Sequence, residues 1–132
     1  MRHEAVVYDT SVAIDVDKLD LGEWISVPAV ITAVVLGELA FGLDVADPLL
    51  RARRTERFYG FLRDFEILPY DLEAAKMYGV MASTLRQINR NPRGRRLDLQ
   101  IAATAATNAM PLLTRNPKDF VGLERLVEVH AI

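Results

Sequence analysis

The chain is 132 residues long, 51% hydrophobic and 26% charged, enough for one globular domain and too apolar for a disordered one. It holds no cysteine, which excludes disulfides and thiolate metal sites, and residues 27–37 are too short an apolar run to span a bilayer; with Glu4 and Asp9 ahead of any long apolar stretch, the N-terminus is not expected to be a signal peptide. The net charge of −2 hides an asymmetry, −7 over residues 1–49 and +5 over the remainder, and residues 74–97 carry Lys76, Arg86, Arg90, Arg93, Arg95 and Arg96 without a single acid. The expectation is a cytoplasmic protein with a basic stretch suited either to phosphates or to a solvated helix end.

In chain order, residues 6–8 form a continuous apolar run of the kind a doubly covered parallel strand shows. Residues 25–27 are a second strand candidate, followed by Pro28 and a long segment over residues 32–43. A helix is expected over 48–65, with Pro48 in its first turn and Leu49, Leu50, Phe58, Phe61, Leu62 and Phe65 near helical spacing. After "EILPY", Asp71 opens a helix reaching about Arg90, "NPRG" breaks it, and an alanine-rich helix runs from Asp98 to about Asn108. "MPLLT" is a strand, "RNPKDF" a turn, and "RLVEV" a last strand. Strands alternating with helices over residues 1–132, with no linker or repeat, predict a single α/β domain: a three-layer α/β/α sandwich around a mainly parallel sheet. Ligands of such sheets bind beyond the carboxyl ends of the strands, where Asp9 falls.

Four acids occupy informative positions. Glu38 shares a helix face with Val34, Val35, Phe41 and Gly42, so it needs a partner, either an arginine of the 51–63 helix or a functional one. Asp9, Asp98 and Asp119 fall at expected strand-to-helix junctions, where each alone can be a cap or turn residue. If the four converge, the carboxylates cannot all stay ionised without a cation, and an all-oxygen cage suits Mg²⁺ or Mn²⁺. His3 and His130 sit near the termini as exposed strand ends, and Asp15, Asp17 and Asp20 form a solvated loop without the calcium-loop spacing. No phosphate-binding glycine loop or nucleophile elbow is present.

The succession "VVYDTS", "GELAFG", "RRLDLQIAATA", "LLTRNPKDF" resembles the PIN-domain ribonucleases, and within them the VapC toxins of bacterial toxin–antitoxin pairs, over nearly the whole chain. The resemblance implies that Asp9, Glu38 and Asp98 match an acidic triad, and that Thr114, Arg115 and Asn116 match a threonine-plus-polar turn. The fourth acidic position stays open between Asp119 and the neutral Asn116. It further implies a divalent-metal-dependent endoribonuclease, a homodimer, RNA as substrate and an antitoxin protein as partner, with no membrane association.

On that basis Asp9 and Asp98 hold Mg²⁺ or Mn²⁺, Glu38 completes the cage or orients a water, and Asp119 supports the metal's surroundings. Ser11, Thr114, Arg115 and Asn116 are the candidates for substrate contact, Arg115 through a bidentate phosphate bond. Phe41, Leu49, Leu50, Phe58 and Phe61 either sit in the core or leave an apolar stripe for the antitoxin. Two other classes fit the acids less well: a PIN-like module that binds RNA without cutting it, and a receiver-type phosphoacceptor domain, which would want adjacent acids after its first strand.

Overall fold

The structure, a computed structural model, describes residues 4–132. Five short strands, β1 (Val6–Tyr8), β2 (Ala29–Thr32), β3 (Glu66–Leu68), β4 (Leu112–Thr114) and β5 (Val129–Ala131), lie in the order β3-β2-β1-β4-β5 with every neighbouring pair parallel. Parallel neighbours require crossovers. Those up to β4 are supplied by α1 (Thr10–Ala13), α2 (Ala33–Phe41), α3 (Pro48–Asp64), α4 (Leu72–Gln87) and α5 (Arg96–Thr107), and that from β4 to β5 by a segment with the 3-10 turn Pro117–Phe120. The chain steps one way across the sheet from β1 to β3 and the other way from β3 to β5. Right-handed connections therefore put α1, α2 and α3 on one face and α4 and α5 on the other. In the packing α2 touches α1 and α3 and α4 lies along α5, while α2 also meets α5, whose Asp98 shares a pocket with Glu38. The expected sandwich is present, and its sheet is parallel throughout. The order β3-β2-β1-β4-β5 differs from the flavodoxin-like order of receiver domains.

Burial explains the runs without alternation. Every residue of β1 and β4 is buried, because helices cover both faces of the central strands. On α5, which meets β2, Leu99, Ile101, Ala102, Ala103 and Ala105 have no exposed surface. Each large aliphatic side chain buried here contributes about 1.5–3 kcal/mol relative to exposure. Local sequence fixes the helix starts: Thr32 accepts from the Val35 amide, Asp47 from Leu49 and Leu50 with Pro48 behind it, and Asp71 from Ala74. Such caps stabilise by about 1 kcal/mol each.

Four expected boundaries move. Residues 25–27 belong mostly to a 3-10 turn, Gly22–Ser26, in which Trp24 is buried and Ile25 is 75% exposed. The strand begins after Pro28, whose carbonyl accepts the first sheet bond from the Val6 amide. At the C-terminus "RLVEV" contributes only Val129 to β5, because Leu126 and Val127 fold back on the Leu123 carbonyl and are covered in a turn. The α4 helix stops at Gln87 because Asn89 takes a left-handed conformation, φ 62°, soon after. Finally α5 starts at Arg96, so Asp98 stands in its first turn and is not its cap. The β3-to-β4 connection takes two helices, which places Asp98 at a helix–helix junction, not after a strand.

Of the five apolar residues weighed as core or stripe, Phe61 is buried and Leu50 and Phe58 are half-buried, while Phe41 and Leu49 are 79% and 62% exposed. Among the described residues no helix is long and apolar enough to cross a membrane.

Candidate active site

The sheet's winding reverses between β1 and β4, and the crevice beyond the carboxyl ends of those two strands is where an open α/β sheet offers a binding site. Asp9 follows β1 there, its amide donating to the Leu113 carbonyl of β4 at 3.1 Å. Asp9 is only 4% exposed, and its Oδ1 accepts from the Ser11 hydroxyl at 2.6 Å and from the Val12 amide at 3.1 Å. Asp9 is thus the N-cap of α1, the structural role the sequence allowed for it. Capping and site placement coincide in one side chain.

Glu38 lies half-buried on α2 and receives a 2.5 Å hydrogen bond from the Thr10 hydroxyl. Arginines of the helix considered for its partner turn elsewhere: Arg54 donates to the Gly42 carbonyl, Arg57 to that of Ile14, and Arg63 pairs with Asp64. Thr10 is not among the site residues read from the sequence, although its place beside Asp9 is a signal that it faces the same crevice.

Asp98 is half-buried in the first turn of α5, and its carboxyl is pushed up to about 6. Burial is the largest cause, followed by the negative charges of Asp119, Asp9 and Glu38; Arg95 pulls the other way. The four acids that sequence singled out thus share one electrostatic neighbourhood. Asp119 sits in the 3-10 turn Pro117–Phe120 and pairs with Arg95 at 2.6 Å, both side chains about a third exposed or less. Arg95, three residues before Asp98, was read only as part of a basic stretch.

The β4 turn is held by its own polar atoms. Thr114 is buried, and its Oγ1 accepts from the Asn116 amide at 3.0 Å. The Arg115 amide donates to Ser11 Oγ at 3.0 Å, so Ser11 links this turn to Asp9. The Arg115 side chain leaves the acids and pairs with Asp15 at 2.7 Å, which takes Asp15 out of the solvated loop expected for it. Asn116 is exposed.

Among the described residues, no three histidines or acids form a ready-made cation cage. The donor set nevertheless fits a hard divalent cation: the groups are carboxylates, and burial, followed by their mutual repulsion, lifts Asp98. His130 is engaged elsewhere, half-buried at the edge strand with Glu128 at 2.5 Å and its ring 4.8 Å from that of Trp24. His3 lies outside the described residues.

The chain matches the PIN domain family over residues 6–125. It is 37% identical over 131 residues to Ribonuclease VapC5 of Mycobacterium tuberculosis, an alignment covering 97% of this chain and 94% of the relative. It is 32% identical over 125 residues to Ribonuclease VapC of Rickettsia bellii, covering 92% of each. A chain in the crystal structure of VapBC-5, a member of the VapBC family of toxin–antitoxin systems from M. tuberculosis, superimposes with a TM-score of 0.77 at 32% identity, covering 98% of both chains. The chain belongs to the PIN-domain family, among the VapC ribonucleases.

Proposed function

We propose that the protein is the toxin of a toxin–antitoxin pair, an endoribonuclease that cuts RNA with the help of Mg²⁺ or Mn²⁺ held by Asp9 and Asp98. The observation that carries this reading is the gathering of Asp9, Glu38, Asp98 and Asp119 in one neighbourhood at the switch point of the sheet, expressed in the rise of Asp98. The names of its relatives support ribonuclease chemistry and, for VapBC-5, a toxin–antitoxin system. When bound, the cation supplies charge stabilisation at the phosphate and acidifies a water molecule.

The chain's own residues supply position. Ser11 and the Val12 amide fix Asp9, so one ligand oxygen is aimed before substrate arrives. Thr10 fixes Glu38, which orients the attacking water, and Asp119 supports the surroundings of Asp98. Thr114 sets the turn that carries Asn116 toward substrate. A histidine pair that would draw a proton from the ribose 2′-hydroxyl has no counterpart among the described residues. We infer also that the protein works in the cytoplasm as a homodimer, and that its antitoxin, an amphipathic segment, covers the exposed Phe41 and Leu49.

Induced expression in a host lacking the antitoxin tests the reading. Wild type is expected to stop growth and Asp9→Asn to permit it, at equal protein levels. Equal toxicity of the two overturns the assignment of the site.

A further inference from the structure

Arg95 ends the 3-10 turn Arg93–Arg95 that leads into α5, and it is placed differently from the other arginines of the basic stretch. Arg90 is spent on the carbonyls of Lys118 and Val121, where it braces a loop. Arg86, Arg93 and Arg96 are exposed. Arg95 is 30% exposed in its side chain, donates Nη1 to Asp119 Oδ1 at 2.6 Å, and stands close enough to Asp98 to oppose its protonation. A pocket of about 350 Å³ is bordered by Glu38 on one side and by residues 93–98 on the other, with Arg95 and Asp98 both in its wall.

A guanidinium carries five N–H donors in a rigid fork. The contact with Asp119 engages one nitrogen, which leaves donors for a second anion. Glu38 and Asp98 in the pocket wall, with the charges of Asp9 and Asp119 also felt at Asp98, repel a nucleic-acid backbone, so a strand that is to lie there needs a fixed positive group as well as any bound cation. Arg95 meets that need without entering the carboxylate set, because Asp119 holds it to one side.

Resting on the ribonuclease reading, we propose that Arg95 is the substrate-positioning cation of the site: it binds a non-bridging oxygen of an RNA phosphate beside Asp98, and Asp119 keeps the guanidinium aimed. A partly shielded contact of this kind is stronger than one on open surface and is charge-assisted. The competing reading is a structural ion pair that merely ties the start of α5 to the turn Pro117–Phe120, an interaction of about 0–1 kcal/mol.

Salt dependence of RNA binding separates the two, because each phosphate contact contributes about 0.7 to the slope of log affinity against log salt for a single strand. The probe is a fluorescein-labelled single-stranded RNA followed by anisotropy across a NaCl series, with Ca²⁺ replacing Mg²⁺ and strand integrity checked on gels. Arg95→Ala and Arg95→Gln are expected to bind about tenfold more weakly with a slope shallower by about 0.7. Arg95→Gln keeps a hydrogen-bond donor toward Asp119, so it stands in should Arg95→Ala fail to fold by circular dichroism. Asp119→Asn keeps Arg95 but loses the carboxylate that aims it, so it is expected to bind with an affinity between those of wild type and Arg95→Ala. Wild-type affinity and slope in both Arg95 variants overturns the role of Arg95. A wild-type protein that leaves RNA intact in Mg²⁺ and Mn²⁺ overturns instead the ribonuclease reading on which the proposal rests.

Discussion

The Thr10 hydroxyl donates to Glu38 across 2.5 Å, joining the first residue of α1 to the middle of α2 and so fixing an acid of one crossover by a residue of another. A part-buried hydrogen bond to a charged group is worth about 1.5–3 kcal/mol, and about 1.4 kcal/mol corresponds to tenfold in rate. Thr10→Val preserves shape and deletes the donor. Its kcat for RNA cleavage is expected to fall about tenfold or more with KM little changed, while Thr10→Ser stays near wild type. Unchanged kcat in Thr10→Val would show that Glu38 needs no such anchor.

Asp98, raised from an ordinary 3.8 to about 6 by burial and its acidic neighbours, makes stability depend on pH in the metal-free protein. A carboxyl whose folded pKa lies above its unfolded value binds its proton more tightly when folded. Its contribution is therefore fully present below about pH 4 and is lost as pH rises through about 6. The loss amounts to at most about 3 kcal/mol, reduced by solvent screening of a half-buried group. Melting in EDTA across this range is expected to show wild type declining more steeply than Asp98→Asn, with the variant the more stable at neutral pH and inactive in cleavage. Added Mg²⁺ should raise the Tm of wild type more than that of Asp98→Asn. Parallel pH curves for the two proteins would contradict the shift.

Phe41 is 79% exposed at the end of α2, with Leu49, 62% exposed, at the start of α3. Phe41→Asp removes apolar surface that the core does not use, so folding stability should change by no more than about 0.5 kcal/mol. Co-purification with the small protein encoded beside the toxin should fall sharply. Undiminished capture by Phe41→Asp would place the antitoxin on another surface.

The parallel sheet was legible because buried runs such as residues 6–8 and 112–114 differ from the alternation of a one-sided sheet. The acids were legible because Asp9 ends such a run and Glu38 interrupts an apolar helix. Three features were not. The strand at Ala29–Thr32 was displaced to residues 25–27 because Ile25 and Val27 are β-branched and apolar like the strand residues beyond Pro28, although Ile25 ends in a 3-10 turn. The direction of Arg115 is set by Asp15, a hundred positions away in sequence, and no local pattern encodes that pairing. Thr10 and Arg95 acquire their meaning only when α1 meets α2 and the turn at Pro117–Phe120 meets the start of α5. Long-range partners decide what short polar side chains do.

The end groups of the RNA products test the central claim most directly. RNA cut by the purified protein in Mg²⁺ is to be ligated and sequenced with and without phosphatase and kinase treatment, beside a parallel reaction in EDTA. A divalent cation held by Asp9 and Asp98, as proposed, would activate water for in-line attack on the phosphate, so the products are expected to carry a 5′-phosphate and a 3′-hydroxyl and to vanish in EDTA. Cleavage that persists in EDTA and leaves 2′,3′-cyclic phosphates would contradict it.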